Sequence, residues 1–406
     1  MEDAVVSLLM VAFAMGLQCC LGHLDDPDSC SPSQSLPSPA HKYKKAPNTL
    51  WQRYLNNIEE GLKEYLPCPK DDFTSCYKEL IDADLSIFQE GITRDMLNSA
   101  KVLGTRYQIV GGKLYRQGRC VFPARCQGIE HFILQVVDRL PDSEFVVNDY
   151  DWPKVPLHHT PVPVFSFSKT GEYLDILYPA WSFWAGGPAI SLYPTGLGRP
   201  VDAWDEHRAS LSAAAEKWPW RKKKSQGFFR GSRTSSERDP LVLLSRTEPE
   251  LVAAAYTKNQ AWKSEADTLG ADPAPEISLE DHCEYKYLFN FRGVAASFRF
   301  RHLFLCKSLV IHVGNEWTEF FYPLLRPWVH YLPLPSYPTQ EQIIDILEFA
   351  KEFDKEVEEI ANRGREVIWE HLRPKDITTY WEELLRSYSK LLNFKPSLLP
   401  NMTRIS

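Results

Sequence analysis

One stretch of the chain, Phe229–Arg238, combines residue types that could bind a phosphate group. A β-rich run ends there, Gly231 permits a turn, and Thr234 and Glu237 have the spacing of a capping box that opens a helix. The stretch also carries three arginines, Arg230, Arg233 and Arg238. Backbone N–H groups at a helix start attract anions, and guanidinium groups bind phosphate oxygens. The pattern therefore indicates a pyrophosphate site, although a purely structural strand-turn-helix produces the same spacing.

A second stretch, Asn290–Arg299, has the same construction. It runs from a predicted strand through Gly293 into a helix predicted over Val294–Cys306. The small side chains of residues 295–297 would let a ligand approach the start of that helix closely. Two such elements with arginines in one half of the chain favour a nucleotide-diphosphate site.

Acidic residues follow the predicted strand Glu144–Asn148. Asp149 and Asp151 lie in the sequence Asn-Asp-Tyr-Asp-Trp-Pro, and a carboxylate at a strand end can act as a general base. The spacing also matches the Asp-x-Asp pattern with which many sugar-nucleotide transferases hold a divalent metal. The pattern is common, because Asp82–Asp84 and Asp26–Asp28 fit it too, and turn-forming Asp residues before a proline produce it without any function.

The loop between Cys120 and Cys126 contains Phe122 and Arg125. A disulfide there would present an aromatic ring and a guanidinium to a polypeptide, although the bond could also be only a structural staple. Six of the nine cysteines form three local couples: Cys68–Cys76, Cys120–Cys126 and Cys283–Cys306. Such couples favour disulfides in an oxidising compartment, and no Cys-x-x-Cys pair indicates zinc.

The first 22 residues are predicted to be a secretory signal peptide. Val5–Leu21 is an apolar run that is short for a membrane span, although Glu2 and Asp3 stand where basic residues are usual. An uncleaved anchor or a plain N-terminal helix is the alternative. Residues 23–47 are polar and rich in proline and are predicted to be a loose leader.

The amino-acid composition indicates a folded globular protein and argues against some functional classes. Hydrophobic residues make up 44% and charged residues 24%, which excludes a disordered chain. The formal net charge of −7 argues against a general nucleic-acid binder, because neutralising phosphates requires clustered Lys and Arg. A length of 406 residues predicts two or three domains.

Strands alternate with helices along the chain, which favours an α/β fold with doubly wound layers. The predicted strands are Glu144–Asn148, Val162–Phe167, Leu251–Tyr256, Tyr287–Phe291, Ser308–Val313 and Trp328–Leu332. The predicted helices include Leu50–Tyr65, Gly128–Leu140, Asp239–Arg246, Val294–Cys306 and one that Thr339 and Gln342 cap. A tail helix has one apolar face, from Ile377 to Leu391, that must dock on another element.

Four segments have longer motifs, namely Tyr193–Gly198, Phe229–Ser235, Tyr256–Trp262 and Tyr287–Arg299. They resemble the Rumi-type protein O-glucosyltransferases of glycosyltransferase family 90, and the likeness spans about Leu50–Leu392. The resemblance implies a GT-B architecture with an acceptor-binding Rossmann-like domain at 48–195 and a UDP-sugar-binding one at 196–375. The tail helix, 376–393, would cross back to the first domain.

The resemblance also implies an activity. It is the inverting, metal-independent transfer of glucose from UDP-glucose to a Ser hydroxyl in a folded EGF-like repeat, within Cys-x-Ser-x-(Pro/Ala)-Cys, as in Notch-type receptors. Some members also transfer xylose. UDP-glucose would be a co-substrate, no cofactor or metal would be needed, and nucleic acid would not be a partner. The alternative is a non-enzymatic protein of the secretory pathway that binds EGF-like repeats and kept the fold.

The resemblance implies a role for each residue that matches a motif of the family. Asp151 would be the catalytic base, and Asp149 would be incidental. The UDP-sugar would contact Tyr193, Ser232, Arg238, Val294, Ala295, Ala296, Ser297, Phe298 and Arg299. The acceptor would contact Val121, Phe122, Pro123, Ala124, Arg125, Tyr150 and Gln260.

Three departures from relatives alter the expectations. Thr74 and Thr379 stand where relatives have the two cysteines of a further disulfide. Tyr150 replaces the usual arginine beside the catalytic Asp, which could change acceptor preference. The chain ends in Thr403–Ser406 instead of a Lys-Asp-Glu-Leu-like signal, so partial secretion is expected beside residence in the endoplasmic reticulum lumen. The single N-glycosylation sequon, at Asn401, is predicted to lie on an exposed tail.

Overall fold

The computed structural model describes residues 48–69, 73–184, 203–258 and 262–406, all within one compact unit, Ala46–Ser406. The strands are β1 Thr105–Val110, β2 Lys113–Gln117, β3 Ser143–Val147, β4 Val164–Ser166, β5 Ser168–Lys169, β6 Ile176–Leu177, β7 Lys224–Gly231, β8 Val252–Tyr256, β9 Tyr285–Asn290, β10 Leu309–Val313, β11 Thr318–Glu319, β12 Leu332–Leu334 and β13 Met402–Arg404. The helices are α1 Asn48–Glu64, α2 Phe73–Leu85, α3 Arg94–Ala100, α4 Pro123–Leu134, α5 Ala203–Lys217, α6 Asp239–Thr247, α7 Leu279–His282, α8 Phe300–Leu305, α9 Gln340–Glu352, α10 Asp354–His371 and α11 Pro374–Ser389.

The first sheet has six strands in the order β13-β2-β1-β3-β4-β6. Its strands β3, β4 and β6 are parallel, whereas β1, β2 and β13 pair antiparallel. All five residues of β3 are buried, as expected for a central strand covered on both faces. The first half is therefore a mixed sheet, and only three of its strands follow the parallel pattern that a Rossmann-like half requires.

The second sheet has five strands in the order β12-β10-β9-β7-β8, and all neighbouring pairs are parallel. The five residues of β10 are buried, because helices on both sides shield a parallel sheet from water. A parallel sheet collects its loops at the carboxyl ends of the strands, where ligands bind in this architecture. The expected α/β class is confirmed, and the GT-B architecture stays a prediction.

Two connections join the first and second halves of the chain, one of them a separate two-stranded sheet formed by β5 and β11. Strand β5, from the first half of the chain, pairs antiparallel with β11, from the second half. The tail helix α11 packs on the first sheet, where the Tyr380 hydroxyl donates to the Leu177 carbonyl at 3.1 Å and that of Tyr388 donates to the Glu144 carbonyl at 3.1 Å. The expected return of the tail helix to the first sheet is therefore observed.

Helix α1 makes its contacts with the second half. The Tyr54 hydroxyl donates to Asp345 at 2.7 Å, and the Trp51 ring packs edge-on against Phe349 and Phe353 of the region around α9. The predicted domain bounds place α1 in the first half instead. The predicted boundary at 195/196 lies outside the described residues and stays a prediction, as do the signal peptide and the leader.

Several predicted elements differ from the observed ones. The helix predicted over 128–140 is α4, which begins at Pro123 and ends at Leu134, because proline is favoured in the first helical turn. The strand predicted over 328–332 is instead β12, Leu332–Leu334, since Trp328 has φ 66°, outside the range of a strand. The chain end is not a loose tail: Asn401 is exposed, but β13 follows it at once and pairs with β2.

Disulfides join all three predicted couples, Cys68–Cys76, Cys120–Cys126 and Cys283–Cys306. The first and third lie away from the loop regions that follow β3 and β7. The second bridges the residues that precede and open α4. Among the described residues, no helix is long and apolar enough to cross a membrane.

A buried pair of histidines should make the fold sensitive to acid. His207 Nδ1 lies 2.9 Å from His302 Nε2. Burial, reinforced by the charge of Arg301, lowers the pKa of His207 to about 4 and that of His302 well below its usual value. Above pH 6.5 both the folded and the unfolded histidines are neutral, whereas on acidification only the unfolded chain takes up these protons. Stability is therefore lost as the pH falls from 6.5 towards 4.

We expect His207→Gln to have a shallower decrease in the thermal unfolding midpoint over this pH range than the wild type. The matched control is His159→Gln, because His159 is exposed. The control should keep the wild-type slope, as measured by thermal unfolding at a series of pH values. A slope for His207→Gln as steep as that of the wild type would assign the acid sensitivity to other groups.

Candidate functional site

A tight turn after β3 carries the acidic pair. The buried Asn148 side chain donates to the Trp152 carbonyl at 2.8 Å and to the Ser166 hydroxyl at 2.9 Å, while its oxygen accepts the Tyr150 N–H at 3.0 Å. One amide side chain thus satisfies backbone groups on both sides of the turn. The arrangement holds the intervening residue, Asp151, in a defined place at the strand end.

The side chain of Asp151 is 41% exposed and forms an ion pair with Arg125, with Oδ1 3.1 Å from Nη2. A second nitrogen of the same guanidinium donates to the Asp149 carbonyl at 2.7 Å. The guanidinium also lies over the rings of Phe122 and Trp181, at 4.4 and 4.3 Å from their centroids. Arg125 was predicted only as an acceptor contact, and the structure also places it on the carboxylate that is predicted to be the base.

The two carboxylates of the Asp-x-Asp pattern have different surroundings. Asp149 is only 1% exposed, and its Oδ2 lies 3.4 Å from Cys120 Sγ. Among the described residues, only Cys120, Cys126 and Asp149 bring three possible metal-ligating atoms within 4.8 Å of one another. Because the two cysteines are joined in a disulfide, they offer no thiolate, and this trio does not fit a metal ion.

The disulfide-closed loop presents apolar surface beside Asp151. Val121 and Phe122 are exposed, and the Phe122 ring packs edge-on against that of Tyr150 at 5.3 Å. The next two residues of the predicted acceptor segment are Pro123 and Ala124, which open α4 on the same exposed surface. Of the predicted acceptor residues, Arg125 contacts the carboxylate and packs on Phe122, whose ring contacts that of Tyr150. Gln260 is outside the described residues.

Arg238 joins the two predicted phosphate loops. Its guanidinium donates to the Ser232 carbonyl at 2.5 Å, to the Thr234 hydroxyl at 3.1 Å and to the Arg292 carbonyl. The predicted capping box is wrong, because Ser235, not Thr234, caps the short 3-10 turn Ser236–Arg238 that precedes α6. Thr234 is used instead as an acceptor for Arg238. The side chain of Ser232 shares a hydrogen bond of 3.1 Å with that of Thr234.

Arg299 reaches the same region from the second loop. Its guanidinium donates to the Arg230 carbonyl at 2.6 Å and lies 5.4 Å from the centre of the Phe229 ring. Gly231 leaves room for this approach, because a Cβ there would lie 3.1 Å from Arg299 Nη2 and 3.0 Å from the Phe229 ring, closer than an ordinary van der Waals contact.

The segment 294–299 is not helical. It consists of bends followed by a turn at 298–299, and the helix predicted from Val294 begins only at Phe300, so this loop offers no helix N-terminus for a phosphate. The segment is held instead by side chains: the Ser297 hydroxyl donates to Asn290 Oδ1 at 2.8 Å. Phe298 packs on Phe167 and Trp181 of the first half, at 5.1 and 5.5 Å. Val294 is exposed, whereas the next two residues, both alanines, are buried.

A small pocket opens where β9 and β10 end. It is lined by Arg292, Ala296, Ser297, His312, Val313, Gly314, Glu316, Trp317 and Tyr322. Two of these residues, Ala296 and Ser297, belong to the predicted UDP-sugar segment. Sequence reasoning missed the part that follows β10, although the predicted strand Ser308–Val313 was a signal that its carboxyl end would line a site.

The charges in the pocket are set by burial and hydrogen bonds. Burial lowers the pKa of His312 to about 4, so this ring is neutral, and its Nδ1 lies 2.8 Å from Asn290 Nδ2. Burial acts to raise the pKa of Glu316, but the hydrogen bond from the Ser336 hydroxyl and those from backbone N–H groups outweigh it and lower the pKa. The pocket therefore combines a neutral imidazole with a carboxylate that stays ionised.

Comparison with known proteins identifies the family. The family model described as Glycosyl transferase family 90 matches residues 70–406. The chain belongs to glycosyltransferase family 90. The resemblance seen in the sequence is thereby confirmed, and with it the expectation of an enzyme of the glycosyltransferase class.

Relatives within family 90 match nearly the whole chain. The "O-glucosyltransferase rumi homolog" of Aedes aegypti is 53% identical over 402 residues, which cover 97% of this chain and 96% of the relative. "Protein O-glucosyltransferase 1" of Homo sapiens is 54% identical and covers 88% of this chain and 91% of its own. "O-glucosyltransferase rumi" of Drosophila melanogaster is 52% identical and covers 92% of each chain.

In this family 90 glycosyltransferase, most predicted site residues form two groups. One group surrounds Asp151 after β3, and the other lies at the carboxyl ends of β7, β9 and β10. Tyr193, a predicted UDP-sugar contact, lies outside the described residues. The individual residue roles remain predictions.

Proposed function

We propose that this protein is an inverting UDP-glucose:protein O-glucosyltransferase whose acceptor is a Ser hydroxyl in a folded EGF-like repeat. The observation that carries the proposal is the place of Asp151. Its carboxylate is accessible, is held by Arg125, and lies beside the exposed rings of Phe122 and Tyr150. A base beside an apolar protein-binding surface suits a macromolecular acceptor. The names of the relatives support the same conclusion.

The chemistry assigns each bond to a group of the protein. Asp151 accepts the proton of the Ser hydroxyl as the Ser oxygen bonds to the anomeric carbon of glucose. The bond from that carbon to the UDP oxygen breaks with its electron pair on UDP, and the configuration at the carbon inverts. Arg238 and Arg299 stabilise the charge on the departing diphosphate. Loops and guanidinium groups replace the second helix N-terminus that the sequence had predicted.

The proposed setting is the secretory pathway. Three disulfides require an oxidising compartment, and disulfide-bonded EGF-like repeats fold in the same place. We place the enzyme in the endoplasmic reticulum lumen. UDP-xylose is a proposed minor donor, from which xylose would be transferred.

The direct test is to incubate the purified protein with UDP-glucose and a folded EGF-like repeat, and then to weigh the repeat. We expect the mass gain of one hexose residue, and a smaller fraction with one pentose residue from UDP-xylose. The control acceptor is the same repeat with its target Ser changed to Ala, which should gain nothing. A protein that binds the repeat but transfers no sugar would instead be the non-enzymatic EGF-binding protein.

Chelation should leave this transfer intact. We expect EDTA to leave the initial rate unchanged, because arginines supply the positive charge and the described Cys-Cys-Asp trio offers no thiolate for a metal. The rate is measured with UDP-glucose and the folded repeat before and after exhaustive chelation. Loss of activity in EDTA with recovery in Mn²⁺ would show that the Asp-x-Asp pattern holds a metal after all.

A further inference from the structure

Two tryptophans connect the pocket to the turn that carries Asp151. The ring of Trp317 packs edge-on against that of Trp152, with centroids 4.9 Å apart and an interplanar angle of 80°. Trp317 is buried and lines the pocket with Ala296 and Ser297, whereas Trp152 is partly exposed. The pair is therefore a direct contact between the lining of the pocket and the residue that follows Asp151.

Trp317 is held on its own side by the strand pair between the halves. It immediately precedes β11, whose residues Thr318 and Glu319 pair with Lys169 and Ser168 of β5. Backbone pairing of this kind leaves little freedom to the residue beside it. The backbone beside Trp317 is therefore held by a two-stranded sheet that joins the halves of the chain, and the Trp317 ring lines the pocket.

Trp152 is held by two hydrogen bonds, one within the Asp151 turn and one to Tyr173. Its carbonyl accepts the Asn148 amide at 2.8 Å, and its indole N–H donates to the Tyr173 hydroxyl at 2.7 Å. Because Trp152 is the next residue along the chain, a shift of its ring moves the backbone that carries Asp151. The edge-on contact with Trp317 is the one aromatic contact recorded for Trp152 among the described residues.

We propose that Trp317 is a positioning residue, which acts through Trp152 to hold Asp151 where it can take the proton of the acceptor, and does so best when UDP-sugar contacts Ala296 and Ser297 at the edge of the pocket. The inference rests on the proposed function, in which Asp151 is the base. A ligand that contacts Ala296 and Ser297 adds support to the wall of the pocket that includes the Trp317 ring, and that ring supports Trp152. Donor binding and base placement are linked in this way without any contact between Asp151 and the nucleotide.

A double-mutant cycle tests the link. Trp152→Ala and Trp317→Ala should each lower kcat by about 10- to 100-fold, the loss typical of a misplaced catalytic group. The double variant should be no slower than the slower single variant, because the two residues act as one unit. Trp152→Ala should leave the Kd of UDP unchanged, which a merely structural defect in the pocket would not do. Trp317→Phe keeps a ring and should recover most of the rate.

The matched control is Trp51→Phe. Trp51 also packs edge-on against an aromatic ring, that of Phe353 at 6.0 Å, but it lies on α1 away from the turn and the pocket. This variant should lose thermal stability with kcat unchanged. Effects of Trp152→Ala and Trp317→Ala that multiply in the double variant would overturn the proposal, as would a wild-type kcat in Trp152→Ala.

Amide hydrogen exchange tests the coupling between UDP binding and the Asp151 turn, and it requires no glucose transfer. UDP should slow amide exchange in residues 149–152 of the wild type, and it should not do so in Trp317→Ala, while exchange in residues 292–299 slows in both and reports binding. If the wild type transfers no glucose, the proposed function fails, yet this measurement still decides the link. If transfer occurs but UDP leaves exchange in 149–152 unchanged, the link is wrong and the function stands.

Discussion

Asp151→Asn should lower kcat for glucose transfer by ~10²–10⁴, the usual cost of removing a general base. Asparagine keeps the shape of the side chain but has no carboxylate to accept the proton of the Ser hydroxyl. The binding of UDP should survive, because Arg238 and Arg299 are untouched and lie in loops that follow strands of the second sheet. The measurements are single-turnover transfer to a folded EGF-like repeat and calorimetric titration with UDP.

The matched variant for this prediction is Asp149→Asn, two residues away. Asp149 is buried against Cys120, so its carboxylate cannot reach an acceptor as the exposed one can. Its variant should retain far more transfer activity than Asp151→Asn. The assignment of the base is refuted if Asp151→Asn transfers glucose at nearly the wild-type rate, or if Asp149→Asn is the inactive variant.

Arg238→Ala should weaken UDP binding by about 10- to 100-fold, since hydrogen bonds to charged groups contribute roughly 1.5–3 kcal/mol and each 1.36 kcal/mol is tenfold. The guanidinium is buried and donates to the carbonyls of Ser232 and Arg292, so it both carries charge and holds the two loops together. Arg238→Lys keeps the charge but not the planar fork, and it should lie between the wild type and alanine. Calorimetric titration with UDP measures all three.

The chain offers a matched control at the other end of the same helix. Arg246, near the end of α6, also bridges two backbone carbonyls, those of Leu269 at 2.9 Å and Thr268 at 3.0 Å. Arg246→Ala should lower the unfolding midpoint and leave UDP affinity unchanged. Equal losses of UDP affinity in Arg238→Ala and Arg246→Ala would mean that Arg238 acts only through stability and does not bind the diphosphate.

The local pattern was a good guide where an element is long or fully buried. The apolar run Ser308–Val313 is the buried β10, and the one-sided face from Ile377 to Leu391 is the docked α11. The capping box of Thr339 and Gln342 is present as predicted. These elements depend on side-chain periodicity and on hydrogen bonds between residues a few positions apart, and both can be recognised in the sequence.

The pattern was a poor guide where a loop is held by distant groups. The helix predicted over 294–306 is helical only from Phe300, because Ser297 and Phe298 contact Asn290 and the first half instead. Ser235, and not Thr234 as predicted, caps the turn, and the Thr234 hydroxyl accepts a hydrogen bond from Arg238. The sequence shows which groups can donate or accept, but not which distant partner will take them.

The sequence by itself determined the α/β class, the family and the three disulfide couples, because periodic burial, long motifs and neighbouring cysteines are local features. The resemblance had already assigned the base to Asp151, but only the tertiary structure showed the physical difference between the two carboxylates: that of Asp149 is buried against a disulfide, and that of Asp151 is exposed and paired with Arg125. The tertiary structure also places the Trp317 ring in contact with that of Trp152, which lies 165 positions earlier in the chain. Such contacts follow from how two sheets pack together, and spacing along the chain does not encode that packing.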